Sequence, residues 1–339
     1  MTSDWETETG SFALGDFAVE KGGVIRNAQL AWQRFGKLNA RRDNLIVYPS
    51  SYSARLSDLS WLVKPDGILD PTRYCVIAVA MFSNGESSGA ADTPDYPDLV
   101  TVADNVRAQH RLVTEMFGVS TLAAVYGFSM GSIQAYHWAA MYPDMVERSV
   151  VICGSARTAD HNKVFLSGLL RTLEAAPEHI GNGRFSSEPK LTLKALGHIY
   201  AGWGLSQDFY RAGLFKSELG ASDLETFLRV QWAERFSQCC AANLYAQAHS
   251  WSNADISDNQ PYNGDLTQAL RSIKARVLLM PSETDLYFRV ADNAAELPYL
   301  ANGALKPIPT IWGHRAGNPS VIPADANFLK ANVATLMQS

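Results

Sequence analysis

Residues 125–131 read Val-Tyr-Gly-Phe-Ser-Met-Gly, a G-x-S-x-G pattern with an apolar β-type run before it, 121–126 (TLAAVY). Behind it, over 130–142, Ile133, Tyr136 and Ala140 recur at helical spacing until Pro143 ends the helix. The pattern alone turns up by chance in roughly one chain in ten of this size. A strand in front and a helix behind change its meaning. In such a strand-to-helix turn the serine takes a strained backbone conformation that pushes its hydroxyl into open space, and side chains at Gly127 and Gly131 would collide across the turn. The helix start also aims free N–H groups and positive dipole at any oxyanion formed beside Ser129. Ser129 is therefore the candidate nucleophile.

The flanking chain supplies a frame. Short continuous apolar runs at 44–49 (NLIVYP), 74–81 (YCVIAVAM), 148–153 (RSVVIC) and 275–280 (ARVLLM) predict strands buried on both faces of a parallel sheet, and 23–35 alternates as early strands with one solvated face do. A helix is predicted over 101–118, with Val102, Val106, His110, Val113 and Phe117 on one face, so His110 reads as a histidine packed against the sheet. After 275–280 come a helix near 290–300, a strand at 305–312 and a closing helix at 326–337. This alternation predicts an α/β fold: a mostly parallel central sheet with helices on both faces.

Between about 158 and 272 the strand-like runs vanish. Helical segments at 165–173, 191–203, 224–236 and 241–251 are rich in large apolar and aromatic residues, with polar, glycine-containing breaks at 181–188 and 252–265. We expect a core of 1–157 and 273–339 carrying an inserted helical cap, 158–272, that roofs the serine and shapes an apolar pocket. Aromatic residues of that segment (Trp203, Phe209, Phe215, Phe227, Trp232) suit an uncharged substrate.

Bulk properties narrow the function classes. The 339 residues are 47% hydrophobic and 19% charged with a net charge of −5, a globular composition that gives no reason to expect nucleic acid or an anionic membrane as partner. No apolar run reaches transmembrane length. The N-terminal MTSDWETETG is acidic and polar, unlike a secretory signal. Cys75 and Cys153 lie in apolar strands as core thiols, Cys239 and Cys240 are adjacent, and none has zinc-ligand spacing. A reduced, cytoplasmic setting is expected.

A serine hydroxyl needs an adjacent base, itself oriented by a carboxylate. After the 275–280 strand, PSETDLYF offers Glu283 and Asp285. After the 305–312 strand, Gly-His-Arg offers His314, the one histidine of the seven in a loop just beyond a late core strand. The order serine, acid, histidine is that of one known arrangement of such triads. One oxyanion donor is expected from the backbone N–H of Met130, the other from Ser51 or Tyr52 in the loop 49–53, with the Tyr52 hydroxyl as a further possible donor. No metal or organic cofactor is implied, because acyl transfer through serine needs none.

Linked segments carry a resemblance: LAWQRFGKLNA (30–40), LDPTRYCVIAVAMFSNGESSG (69–89), VTVADNVRAQHRLVTEMFGV (100–119), YGFSMGSIQAYHWAAMYPDMVERSVVICGSAR (126–157), TDLYF (284–288) and WGH (312–314). Over about 12–158 and 275–320 the chain resembles the homoserine O-acetyltransferase family of α/β-hydrolase-fold proteins. That resemblance favours Asp285 over Glu283 and implies a homodimer paired through cap helices. It also implies two substrate contacts that this chain alters. Lys194, in LKALGHI, stands where the family pattern has an arginine for the homoserine carboxylate. Arg315 stands where an acid after the catalytic histidine meets the ammonium. Lysine loses the bidentate fork, and arginine reverses the charge. Water is then the expected acceptor, and the expected activity a serine carboxylesterase acting on small uncharged, acetate-type esters. Transfer from acetyl-CoA to homoserine is the alternative reading, and a non-catalytic binding protein on the same fold a more remote one.

Overall fold

The computed structural model describes residues 5–59 and 61–338. Met1–Asp4, the start of the acidic N-terminal segment, lie outside the described residues. Eight strands form one sheet in the order β1-β2-β4-β3-β5-β6-β9-β10. β1 (Thr7–Ala18) and β2 (Val24–Phe35) form an antiparallel hairpin at one edge, and β2 pairs antiparallel with β4 (Cys75–Val79). From there β3 (Leu45–Pro49), β5 (Ala124–Phe128), β6 (Arg148–Ile152), β9 (Arg276–Met280) and β10 (Gly303–Leu305) all run parallel.

The continuous apolar runs of the sequence make the central strands because both of their faces are covered. Every residue of β3 and β4 is buried. The two-residue period of a strand splits them between two cores: Leu45, Val47, Cys75, Ile77 and Val79 face one side, Ile46, Tyr48, Val76 and Ala78 the other. On the first side lie α1 (Val102–Arg111), capped by Thr101 and Asp104 in a reciprocal capping box, and much of α2 (Met130–Met141). α2 is buried all round from Met130 to Ala140, as expected of a helix against a sheet and beneath other layers.

Residues 160–252 carry the helices expected after β6. α3 (Asp160–Glu174), α4 (Lys190–Gly204) and a helix at Ala241–Ser252 match their predicted segments. The segment 224–236 divides into Leu224–Phe227, a wider π-type turn over Leu228–Ala233, and Glu234–Ser237. Their inner faces (Phe165, Leu166, Leu196, Phe227, Phe236, Trp251) join the same apolar cluster as Tyr48, Met130 and Phe288. The two feet of this segment are tied together where Arg157 pairs with Asp255, the Thr158 N–H donates to Ala254 O at 3.0 Å and the Ile256 N–H to Ala156 O at 3.0 Å. Ile256, Ala269 and Leu270 pack in the opposite core.

Four expectations change in detail. A short hairpin, β7 (His179–Gly181) with β8 (Arg184–Phe185), falls largely in the polar break expected at 181–188, where the sequence predicts no strand; its turn is Asn182-Gly183 with φ of 50° and 66°, the two-residue hairpin signature. The strand expected at 305–312 is instead β10, followed only by an isolated Ser282–Ile308 bridge, because Pro307 and Pro309 have no N–H to give a ladder. The strand before Ser129 runs Ala124–Phe128 rather than 121–126, so the serine follows the last strand residue directly. His110 is half-buried and stacks on Tyr142 at 4.0 Å near the end of α2, not on the sheet. Among the described residues no helix is long and apolar enough to cross a membrane.

One buried carboxylate ties these layers together. Glu296 accepts the Tyr136 hydroxyl of α2 at 2.8 Å, the Ala156 N–H at 2.8 Å and the Asn293 amide at 3.0 Å. Burial pushes its carboxyl up to about 7. The folded protein therefore holds a proton that the unfolded chain releases near pH 4.5, and stability is lost as pH rises from that value through about 7. Glu296→Gln removes this dependence. The stability difference between variant and wild type, measured by urea unfolding, should shift in the variant's favour by about 3 kcal/mol at most between pH 5 and pH 8. A difference that does not change with pH would contradict this.

Candidate active site

Ser129 stands between β5 and α2 with φ 56° and ψ −128°, a region that residues with a Cβ rarely occupy, and is 5% exposed. Its N–H donates to Ile152 O of β6 at 3.0 Å, which pins the turn to the neighbouring strand. The flanking glycines are required by space. A Cβ on Gly127 would lie 2.1 Å from Gly131 O, and one on Gly131 would lie 2.4 Å from Pro49 O. The turn is thus pressed against the carboxyl end of β3.

Asp285 lies in the turn after β9, 2% exposed. Its Oδ1 accepts the N–H groups of Tyr287 at 2.7 Å and Phe288 at 3.2 Å. Its Oδ2 faces His314 Nδ1 at 2.7 Å. A carboxylate oxygen that accepts here requires the proton on Nδ1, which leaves Nε2 with a free lone pair. The His314 ring is held by Phe128 at 4.8 Å and by Tyr287, edge-on, at 4.8 Å. Thr284 joins the two loops: its hydroxyl donates to Thr310 O at 3.0 Å and accepts the Gly313 N–H at 3.1 Å. Glu283, the other acid of this turn, is exposed.

Ser129 and His314 line one cavity of about 740 Å³. Among the described residues no hydrogen bond joins the Ser129 hydroxyl to His314; such contacts are often loose before substrate binds. The structure thus brings the three predicted residues to adjoining loops at the carboxyl ends of β5, β9 and β10, with the acid and the imidazole in contact.

The loop after β3 closes over the same cavity. Met81 N–H donates to Ser50 Oγ at 2.9 Å, Gln134 of α2 donates to Ser50 O at 2.9 Å, and the Ser51 hydroxyl donates to Phe128 O. Neither the Ser51 N–H nor the Met130 N–H has an acceptor among the described residues; for Met130 this follows from its place at the helix start. The Tyr52 hydroxyl is a different matter. It donates to Leu244 O at 3.2 Å, its ring stacks on Tyr200 at 5.6 Å, and it is buried, so it is a wall of the cavity and not a spare donor. Lys194 also departs from expectation. It is exposed on α4 and lines no part of the cavity, because the buried phase of that helix is Leu193, Leu196, Gly197 and Ala201. Arg315, directly after His314, does line the cavity and is half-buried. Sequence reasoning missed Gln134, Thr284, Arg55 and Arg235. Gln134 is one of three polar residues, with Ser132 and His137, buried in the mostly apolar α2, which is a readable but unspecific signal; nothing local marks the two arginines.

Cys153 is buried as expected, but with φ 49° and with its sulfur beside the site: Cys153 Sγ, an Asp285 oxygen and a His314 ring nitrogen lie within 4.8 Å of one another. This is the only grouping of that kind among the described residues. Both Asp285 oxygens already accept N–H donors, and burial holds the thiol far above its ordinary pKa, so the three residues fit a hydrogen-bonded cluster better than an open metal site.

The family described as alpha/beta hydrolase fold matches residues 65–298. The ethyl acetate hydrolase of Pseudomonas veronii is 34% identical to this chain, over 98% of it and 97% of its own length. A solved acetyl esterase superposes with a TM-score of 0.93 at 31% identity, covering 98% of this chain and 97% of the other. The homoserine O-acetyltransferase of Zymomonas mobilis is more distant, 27% identical over 82% of this chain and 83% of its own.

The packing of the turn gives a direct test. Gly127→Ala should lower stability by about 1–3 kcal/mol in urea unfolding, because its Cβ meets backbone atoms that cannot rotate away. An unchanged unfolding midpoint would show that the turn can relax around a methyl group.

Proposed function

The chain belongs to the α/β-hydrolase family, and from that premise we propose that it is a serine carboxylesterase acting on short-chain, acetate-type esters. The contact between Asp285 and His314 at 2.7 Å, with His314 lining the same cavity as the strained Ser129, carries this reading. His314 Nε2 takes the Ser129 proton as Oγ attacks the ester carbonyl. The N–H groups of Met130 and Ser51 receive the charge that develops on the carbonyl oxygen, and Asp285 stabilises the imidazolium. The C–O bond to the alcohol breaks, and the alcohol leaves with the proton from His314. Water, deprotonated by the same nitrogen, then attacks the acyl-enzyme, releasing the acid and restoring the serine hydroxyl.

Acetate-type specificity is supported by the relatives, one named for ethyl acetate hydrolysis and one for acetyl ester hydrolysis. Water as acceptor is supported by charge. Homoserine would need an anion for its ammonium, yet Arg315 stands beside His314, and Asp58, the single acid among the described lining residues, accepts the Arg55 backbone N–H at 3.0 Å. We read residues 158–272 as a cap, of which the part between the two tied feet roofs the site through Tyr200, Trp232 and Phe236. The same segment bears the exposed apolar residues Val164, Ile180, Leu191, Leu224 and Val230, which support a homodimer through cap helices. The free cysteines fit a reducing, cytoplasmic setting.

Ser129→Ala should reduce hydrolysis of 4-nitrophenyl acetate by about 1,000-fold or more with the fold retained by circular dichroism. Activity within a few-fold of wild type would refute the assignment. Homoserine-dependent release of CoA from acetyl-CoA, faster than ester hydrolysis, would favour the acyltransferase alternative. In sedimentation velocity the protein should run as a dimer, and Leu191→Glu, which places charge on the exposed face of α4, should shift it to monomer; a monomeric wild type would contradict the cap-helix pairing.

A further inference from the structure

The cavity above Ser129 holds more positive charge than a neutral ester requires. Arg55, Arg235 and Arg315 line it, and among the described residues the opposing acid is Asp58 alone. Among the described residues none of the three guanidinium groups makes an ion pair or donates a hydrogen bond. Arg235 comes from the helical segment at Glu234–Ser237, Arg315 from the turn that presents His314, so two separate parts of the chain deliver cations to one space. The two repel each other across it. Burial and the neighbouring Arg235 charge both hold the Arg315 guanidinium below its ordinary pKa. Arg315 is half-buried and Arg235 exposed, so desolvation of the unpaired Arg315 guanidinium is the larger cost and the solvent-screened charge of Arg235 adds a smaller one; an arriving anion would offset both. Size agrees. A cavity of about 740 Å³ is in the range that encloses drug-sized ligands, and an acetyl group with a small alcohol occupies a minor part of it.

We propose that Arg315, with Arg235 beside it, forms a carboxylate-binding subsite, so that the ester best suited to this cavity carries a carboxylate a few bonds from the carbonyl that Ser129 attacks. The proposal rests on Ser129 as nucleophile and adds the chemistry of the substrate's far end. A planar guanidinium can take both oxygens of a carboxylate in parallel hydrogen bonds, which fixes the ester's orientation as well as its position. Uncharged acetate esters then use the inner end of the cavity and forgo this contact.

Two matched pairs of esters test it. In 4-nitrophenyl hemisuccinate and 4-nitrophenyl valerate the charge is on the acyl side; in 4-acetoxybenzoate and its methyl ester it is on the alcohol side. In one of the two pairs wild-type kcat/KM should favour the anionic member by about 10-fold or more at low salt. The advantage should shrink as salt screens it, and Arg315→Gln should abolish it, with a smaller loss in Arg235→Gln. The pair that responds locates the subsite. No anionic preference in either pair, or a preference that survives the double substitution, would overturn the proposal. Should Arg315→Gln fail to fold, calorimetric binding of glutarate against glutaramide to the wild type decides the matter: glutarate must bind at least 10-fold more tightly and be displaced by salt. Should no ester be turned over and no fluorophosphonate label reach Ser129, the hydrolase reading fails, while the glutarate measurement still supports or refutes the anion subsite.

Discussion

Everything at this site depends on a backbone that is held where it would not rest. Ser129 is kept at φ 56° because its N–H is fixed to β6, and because glycines on both sides let α2 sit against the end of β3 with carbonyl oxygens where methyl groups would otherwise be. Strain of this sort costs on the order of 1–3 kcal/mol and persists only when its surroundings over-determine it. Here the surroundings are the parallel sheet itself, buried on both faces. The same compression that strains the serine brings the start of α2 and the loop after β3 together, and it leaves the N–H groups of Met130 and Ser51 without acceptors among the described residues.

The other half of the site is assembled by topology. In a parallel sheet every strand ends at the same edge, and loops from separate parts of the sequence meet there. β9 delivers Asp285 and β10 delivers the turn that bears His314, with Thr284 bonded to both loops. Phe128, Tyr287 and Phe288 clamp the imidazole and hold its ring plane, and Asp285 against Nδ1 sets its tautomer, before any ester arrives. The helical segment closes over this edge and contributes aromatic wall and cationic charge together.

The sequence was most legible where one local cause dominated. Strands buried on both faces announce themselves as apolar runs, and a serine between two glycines at a strand-to-helix junction marks a tight turn with an exposed hydroxyl. The loops that carry Asp285 and His314 were legible because each follows a strand-like run, whereas the choice of Asp285 over Glu283 rests on the family resemblance. Legibility failed where long-range packing decides. β1 is an edge strand, mostly exposed, whose apolar alternation is confined to Phe12 and Leu14 before Gly15 and Asp16 interrupt it. Two prolines end β10 early, although Ile308 between them and Ile311 beyond prolong the strand-like pattern. Lys194 lies one residue off the buried phase of α4, a distinction of about 100° around the helix that a sequence position alone does not settle. Arg55 and Arg235 reach the cavity only because of how distant segments fold over the sheet.

Whether Ser129 itself becomes acylated is the decisive question. Mixing the protein with 4-nitrophenyl acetate, quenching in acid within the first turnover and mapping the adduct by peptide mass spectrometry tests this directly. The expected result is a single acetyl group on the peptide that contains Ser129, accumulating further when Asp285 is replaced by asparagine only if deacylation slows more than acylation. Steady ester turnover with no acetyl group on Ser129, or with the acetyl group on another residue, would contradict the role assigned to this serine.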